Sequence, residues 1–401
     1  MYEFILMKAI CVINTSGNYG GAEKRITSLF DYISRERDDF MLIINRALYD
    51  SFTEKGILTP SGRIHIIDIP FDKKHFPDVS KASHVSKNKK SLFRQHLGRY
   101  KYFLKTFYQW FSFSKQLTSV LKKNDVKTVY TIWQGGIWGR RVFKKLKIKI
   151  IYGANSNLVW HLEKGLLKRF DSQYRILRDA SHVDFLSDGL VEELKGLMPE
   201  KDFPASYSVS PCSFIKYENF YPVYPKLNNV VFSGRLVQLK NPLLFLEAVK
   251  IFNSGFKDHK KISFIILGTG PLEKDMKDQA LKNSLNNVVF KGKVPNPETI
   301  LQRSKVFISI QQTENYPSQA LIEAMACENA VIASDVGETR KLVTEKEGLL
   351  TAPDAEKIAD ALKQLFSNEE KILAKGRNAR KKVMTEHTVE RFRNYFYSLF
   401  D

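Results

Sequence analysis

The chain has 401 residues, 63 Lys+Arg against 43 Asp+Glu, and a formal net charge of +20. Its 43% apolar and 12% aromatic content can bury a sizeable core, which excludes a wholly disordered chain; ordinary glycine and proline numbers exclude collagen-like or low-complexity architecture. Three cysteines (Cys11, Cys212, Cys327) make no disulfide framework and no CxxC pair for zinc, which fits a reducing, cytoplasmic setting, and no run of about 18 apolar residues predicts a membrane-spanning helix.

Taken in chain order, MYEFILMKAICVINTSG is broken by Lys8 and reads as a first β-strand, not as a secretory leader. It runs into NTSGNYGGAEKR, where Gly17, Gly20 and Gly21 precede a helix near Ala22. Glycines at such a turn let backbone N–H groups approach an anion at a helix N-terminus. The spacing is neither GxGxxG nor a Walker A loop, so by itself the motif reads as a tight turn. FMLII and IHIIDI follow as strands. Residues 73–149 then carry 20 basic residues and two acidic ones, Asp78 and Asp125, a segment suited to an anionic partner.

Within that segment, residues 91–123 predict a helix. Phe93, Leu97, Tyr100, Phe103, Leu104, Phe107, Trp110 and Phe111 recur at three- and four-residue spacing among lysines and arginines. This stripe reads equally as a core-packed helix with a solvated basic face or as a helix lying on an anionic bilayer. Nucleic-acid binding is a weaker third reading, because no nucleic-acid module accompanies the charge. TVYTIW, KIIYG and VDFLS are the next strands, and the proline-rich 211–229 reads as a linker. Beyond it, NVVFSG, SFIILG, NVVFKG, KVFISI, AVIAS and GLLTA alternate with amphipathic stretches such as NPLLFLEAVKIF, and HTVERFRNYFYSLF closes the chain as an aromatic helix. Strands apolar on both faces, repeatedly separated by helices, predict two doubly wound parallel α/β domains.

The chemistry concentrates in the second half. Arg235 and Lys240 follow the strand VVFSG across a short turn, at the carboxyl end where parallel sheets bind ligands. A forked guanidinium and a point-charge ammonium suit a diphosphate, although two ordinary surface cations would read the same way. Gly268 and Gly270 mark another strand–helix turn that either cradles phosphate or only turns the chain. The stretch ISIQQTENYPSQALIEAMA puts Glu314, Asn315, Tyr316 and Pro317 in a polar loop and Ser318 at the start of a helix carrying Glu323. Carboxylates there can accept hydrogen bonds from sugar hydroxyls, and the helix N–H groups can face a phosphate. Glu323, among apolar neighbours, needs a partner: a ribose diol or a structural cation.

GGAEKR (20–25), GR-x4-K at Arg235 and Lys240, ILGTGP (266–271), VVFKGKV (288–294) and the acidic loop with ALIEAMACENAVIASDVG (320–337) occur in one order across nearly the whole chain. This ordered set resembles the family 4 glycosyltransferases of the GT-B fold. The resemblance implies an α/β chain with two doubly wound Rossmann-like domains facing a central cleft. Residues 1–215 would bind the acceptor, 216–227 would link, 228–386 would bind a nucleotide-diphosphate sugar, and 387–401 would pack back toward the N-terminal domain. It implies a retaining transferase that moves a sugar to a glycan or lipid-linked acceptor in cell-surface polysaccharide biosynthesis. The enzyme would be cytoplasmic or peripheral on the inner membrane face, with an anionic membrane surface as a further partner and no nucleic acid.

The resemblance also implies roles. Arg235 and Lys240 neutralise the diphosphate, and Glu323, second acid of the family's E-x7-E pattern, holds the ribose. The first acid position falls on Asn315, with Glu314 one residue earlier, and both are candidates at the sugar. Tyr316, Pro317, Ser318, Gln319 and Gly268 join the donor site. The backbone at Lys293 and Val294 meets the base, and Gly20 and Gly21 close over phosphate. Where relatives carry a histidine after a strand like KIIYG, this chain has Asn155 or Ser156, and His161 reads as structural. With no DxD pair, no metal is expected, and no cofactor beyond the donor. A sugar-nucleotide epimerase and a basic binding protein with a decayed site are the competing readings.

Overall fold

The computed structural model describes residues 6–15, 19–70, 92–154, 172–313 and 316–401, with side chains in the stretch 92–123 described from Leu104 onward. These residues form two compact units. The first runs to residue 210 and includes 393–401, and the second covers 211–392.

The first unit contains β1 (Lys8–Ile13), α1 (Gly21–Ile33), β2 (Phe40–Asn45), α2 (Arg46–Glu54), β3 (Ile64–Ile67), α3 (Leu92–Lys123), β4 (Thr128–Ile132), α4 (Trp133–Lys145), β5 (Lys149–Ala154), α5 (Ser172–Asp179), β6 (His182–Phe185), α6 (Asp188–Leu197) and β7 (Tyr207–Val209). Its seven strands lie in the order β3-β2-β1-β4-β5-β6-β7. All neighbours are parallel, with Ile10 of β1 opposite Leu42 of β2 on one side and Tyr130 of β4 on the other. Burial of both faces explains the unbroken apolar runs: every residue of β2 is buried.

Two glycines, Gly135 and Gly136, bring α4 onto this sheet. A Cβ at Gly135 would lie 2.8 Å from Thr131 Oγ1, and one at Gly136 would lie 2.7 Å from the Tyr152 ring. A Cβ on Gly153 in β5 would lie 2.5 Å from the Tyr130 hydroxyl. That space lets Tyr130 donate to Asp184 Oδ2 at 2.7 Å. Ser210 Oγ (2.9 Å) and Tyr395 Oη (2.6 Å) donate to Asp184 Oδ1, so this carboxylate, 2% exposed, receives three hydroxyls. Phe396 and Phe400 pack on Phe40 with centroids 6.1 and 5.1 Å away, so residues 393–401 complete the first unit's core.

The second unit holds β8 (Leu227–Ser233), α7 (Pro242–Gly255), β9 (Ser263–Leu267), α8 (Glu273–Lys282), β10 (Val288–Gly292), α9 (Glu298–Leu301), β11 (Ser304–Ser309), α10 (Gln319–Ala326), β12 (Ala330–Ser334), α11 (Thr339–Leu342), β13 (Gly348–Thr351), α12 (Ala355–Phe366) and α13 (Glu369–Glu386). A last helix, α14 (Val389–Ser398), ends the chain. The six strands lie β10-β9-β8-β11-β12-β13, again all parallel. Side-chain caps start α12 and α13: Asp354 accepts from Lys357 N–H (3.0 Å) and Asn368 from Lys371 N–H (3.0 Å).

All twelve strands expected from the apolar runs form. The thirteenth, β7, has only three residues in the polar string SYSVS at a sheet edge, where no apolar run is required. Residues 216–227 pack on the second unit. Phe220 is 5% exposed, Tyr217 Oη donates to the carbonyls of Val383 (2.7 Å) and His387 (3.0 Å), and Lys226 is buried with its ammonium on the carbonyls of Ser304 and Cys327. The prolines there shape a packed crossover.

Candidate functional site

In each sheet the strand order reverses between two central neighbours: β1 and β4 in the first unit, β8 and β11 in the second. Loops leaving the carboxyl ends of such a pair diverge and open a crevice, the usual ligand position in parallel α/β sheets.

At the second reversal, β8 ends at Ser233 and the chain passes Gly234 into Arg235. A short 3-10 turn, Gln238–Lys240, presents Lys240, and left-handed Asn241 (φ 49°) then starts α7 with Pro242 as its first residue. Lys240 Nζ donates to Gln311 Oε1 at 2.6 Å, just past the end of β11. Gln311 is itself held, because its N–H donates to Ser334 Oγ (2.9 Å) at the end of β12. Arg235 is exposed and Lys240 half-buried, and neither has a carboxylate partner among the described residues. Burial, then the Arg235 charge, pushes the Lys240 ammonium down to about 8. Two like charges at the mouth of a parallel sheet, one held among the described residues by a neutral amide, favour an anion of more than one charge.

The glycines beside this pair have a structural explanation. Gly234, Gly268 and Gly292 end β8, β9 and β10 with φ of 157°, 129° and 63°. Gly234 N–H donates to Leu267 O (3.0 Å) and Gly268 N–H to Gly292 O (2.7 Å), so the three strand ends are stitched side by side. A Cβ on Gly268 would lie 1.9 Å from Gly234 O, and one on Gly270 would lie 2.4 Å from Leu236 O. Backbone packing therefore requires both. Lys293 and Val294 follow on the edge strand β10, two strands from β8; Lys293 is exposed and Val294 half-buried against the core.

Glu314 and Asn315 lie outside the described residues, as do Gly17, Asn155, Ser156 and His161. Beyond that gap, Tyr316 and Pro317 lead to Ser318 at the N-cap of α10. Tyr316 lines a small recess with Ser309, Gln311, Ser318, Leu321, Thr339 and Leu342. Its ring meets His387 edge-on at 6.4 Å and has Lys341 Nζ 5.8 Å above it. Gln319 donates its side-chain amide to Ser213, whose N–H in turn donates to His387 Nδ1 at 3.2 Å. His387 is 2% exposed and burial pushes it down to about 4, so it stays neutral with Nδ1 as the acceptor. Glu323 is half-buried one turn into α10, while Leu321, Ile322, Ala324 and Met325 are in the core.

Gly20 and Gly21 belong to the first unit. Gly20 is the N-cap of α1 at φ −116°, and its N–H donates to Glu23 Oε2 (2.9 Å). Glu23 Oε1 accepts from Asn14 Nδ2 (2.7 Å), which ties the glycine turn to the end of β1. Unlike Gly268, Gly20 is not demanded by packing: the nearest described atom to a Cβ there is 3.7 Å away. At the same reversal, Thr15 N–H donates to Gln134 Oε1 (2.8 Å), and Trp133 is left-handed at φ 47°.

Sequence reasoning missed Gln311, Ser334, Trp133 and Gln134. The WQGG string after β4 offered a signal, a glycine pair at a strand end, whereas Gln311 in a Gln-Gln pair offered none.

Residues 214–382 match the family described as glycosyl transferases group 1. The chain is 32% identical over 165 residues, 40% of its own length and 45% of the relative's, to GalNAc-alpha-(1->4)-GalNAc-alpha-(1->3)-diNAcBac-PP-undecaprenol alpha-1,4-N-acetyl-D-galactosaminyltransferase of Campylobacter jejuni. The chain spans about half the length of the curated relatives it matches. Among solved structures, sucrose-phosphate synthase from Thermosynechococcus elongatus superposes with a TM-score of 0.73 at 16% identity, covering 98% of each chain. HepE of Anabaena in complex with UDP-glucose superposes at 0.72 and 14% identity, covering 98% of this chain and 99% of that one. The structural likenesses extend over both units and show the GT-B fold, and the match to the group 1 glycosyl transferases covers residues 214–382, within the second unit.

Proposed function

We propose that the protein is a glycosyltransferase that moves a sugar from a nucleotide-diphosphate sugar to a lipid-linked or surface-glycan acceptor. The observation that carries this reading is the Arg235–Lys240 cation pair at the strand reversal of the second sheet, with Lys240 donating to neutral Gln311 among the described residues. A diphosphate leaving group supplies the charge this pair lacks, and the fixed cations stabilise it as the glycosidic bond breaks. No metal is needed in this reading, and retention is the expected outcome at the anomeric carbon. Further support comes from HepE, a fold neighbour whose complex holds UDP-glucose, and from the Campylobacter relative, whose name specifies an undecaprenol-diphosphate-linked acceptor. In this scheme Glu323 takes the ribose hydroxyls, Glu314 or Asn315 contacts the sugar, and Tyr316 with Ser318 lines the approach to α10. Lys293 and Val294 border the base, while Gly20 and Gly21 serve phosphate on the first unit. Gln319, tied to Ser213, would act by holding the start of α10 in place.

A thermal-shift screen against UDP, GDP, ADP and CMP, free and sugar-linked, tests the reading. One nucleotide should raise the midpoint of the wild type with the logarithm of its concentration, and Arg235→Ala should need at least about tenfold more of it for the same shift. No shift by any nucleotide at millimolar concentration would remove the donor assignment.

A further inference from the structure

We propose that the outer face of α3 docks the protein on an anionic lipid bilayer. The helix has 32 residues, and its two faces separate cleanly over the part whose side chains are described. Gln109, Phe113, Leu117 and Leu121 are buried, at 6%, 0%, 0% and 1% exposure. Leu104, Phe107, Tyr108 and Phe111, at one-turn spacing on the opposite side, are 46%, 54%, 55% and 56% exposed. Four large apolar side chains that the fold leaves half in water along one stripe mark an interaction surface, not a scatter of single exposed residues.

The charge around the stripe selects the occupant. From Leu92 to Lys149 the chain has fourteen Lys and Arg and one acid, Asp125. By helical register Lys105 lies beside the stripe and Lys115 continues it one turn beyond Phe111. On α4, Arg141 is exposed with its guanidinium 5.6 Å from the centre of the Trp110 ring, whose Nε1 donates to Trp138 O at 3.2 Å. Aromatic side chains bordered by lysine and arginine match a headgroup zone, with rings at the acyl boundary and cations over phosphate.

The stripe also has a defined level in the first unit. Gln116 Oε1 accepts from Asp68 N–H (3.1 Å) and its amide donates to Asp68 O (2.8 Å), one residue past the end of β3. Gln109 donates to Pro70 O at 2.8 Å, two residues further on. Residues 104–111 therefore lie at and beyond the carboxyl edge of the first sheet, the edge that carries Asn14, Thr15 and the Gly20 turn. A bilayer on this face would be level with the ligand-binding edge of that unit.

The test is flotation of the full chain with phosphatidylcholine vesicles, and with vesicles in which about a quarter of the lipid is phosphatidylglycerol, at low and physiological salt. The expected result is binding to the anionic vesicles, weakened by salt, and lowered about tenfold or more in F107S/F111S and severalfold in K115Q/R141Q. Thermal midpoints and the nucleotide-induced shift should stay as in wild type. Flotation needs no nucleotide or acceptor, so its failure would leave the transferase reading intact, and the reverse holds. The proposal is overturned if wild type ignores anionic vesicles, if F107S/F111S binds as well as wild type, or if that variant instead converts a solution dimer to a monomer, which would make the stripe a protein interface.

Discussion

At the residue scale, the Arg235–Lys240 pair makes the sharpest predictions. Lys240 is pushed down to about 8 by burial and by Arg235. A bound diphosphate reverses that push, so binding near pH 8 should take up protons, and affinity should fall from about pH 7 to about pH 9 as the free site loses its ammonium. Calorimetry in buffers of different ionisation enthalpy reads the proton uptake directly. Arg235→Ala should weaken nucleotide binding by about 1.5–3 kcal/mol, the range for hydrogen bonds to charged groups, while letting Lys240 titrate higher. Without ligand the pH dependence of stability has the opposite sense. The unfolded chain keeps the Lys240 proton up to 10.5 and the folded one only to about 8, so stability should rise across that window; buried Lys226, also lowered to about 8, acts in the same direction. Urea midpoints at several alkaline pH values would check the slope. Both cations were readable in GR-x4-K, but Gln311 was not, because its role exists only where β11 lies beside β8.

At the scale of elements, the glycines divide into two kinds that look alike in sequence. Gly268 ends a strand at φ 129° with no room for a Cβ against Gly234 O. Gly268→Ala should cost about 2–4 kcal/mol of stability in chemical denaturation, whatever the ligand does. Gly20 has ordinary φ and open space among the described residues. Gly20→Ala should shift stability by less than about 1 kcal/mol, so any larger loss of substrate affinity in that variant reports on ligand approach. The phosphate reading and the turn reading of ILGTGP were both open from spacing, and the neighbouring strand end gives the glycine a packing reason that holds with or without a ligand. The same limit explains β7 and the 216–227 crossover: a short edge strand needs no apolar run, and prolines mark a bend whether or not it is packed.

For the whole molecule, Asp184 is the polar centre of the first unit. It gathers Tyr130, Ser210 and Tyr395 from three separate stretches of chain. Asp184→Ala leaves these buried hydroxyls short of an acceptor and should cost about 2–4 kcal/mol, with Asp184→Asn milder because it keeps one acceptor oxygen. Two units with separate cores need not unfold together. If the transitions resolve, Asp184→Ala should lower the first unit's and leave the nucleotide-dependent rise in the second's unchanged. Differential scanning calorimetry with and without UDP would show this.

What the sequence by itself determined is local. Apolar runs of five or six residues specified twelve strands, the alternation with helices specified parallel doubly wound sheets, and GR-x4-K specified the cations. These signals survive because burial on both faces of a strand constrains each residue separately. The tertiary structure alone decided which long-range neighbours complete each group. Lys240 and Gln311 are 71 positions apart, Thr15 and Gln134 are 119, and Asp184 and Tyr395 are 211. It also decided which face of α3 is buried, because the helix is apolar on both sides and, among the described residues, β3 and α4 pack against the face that carries Phe113 and Leu117.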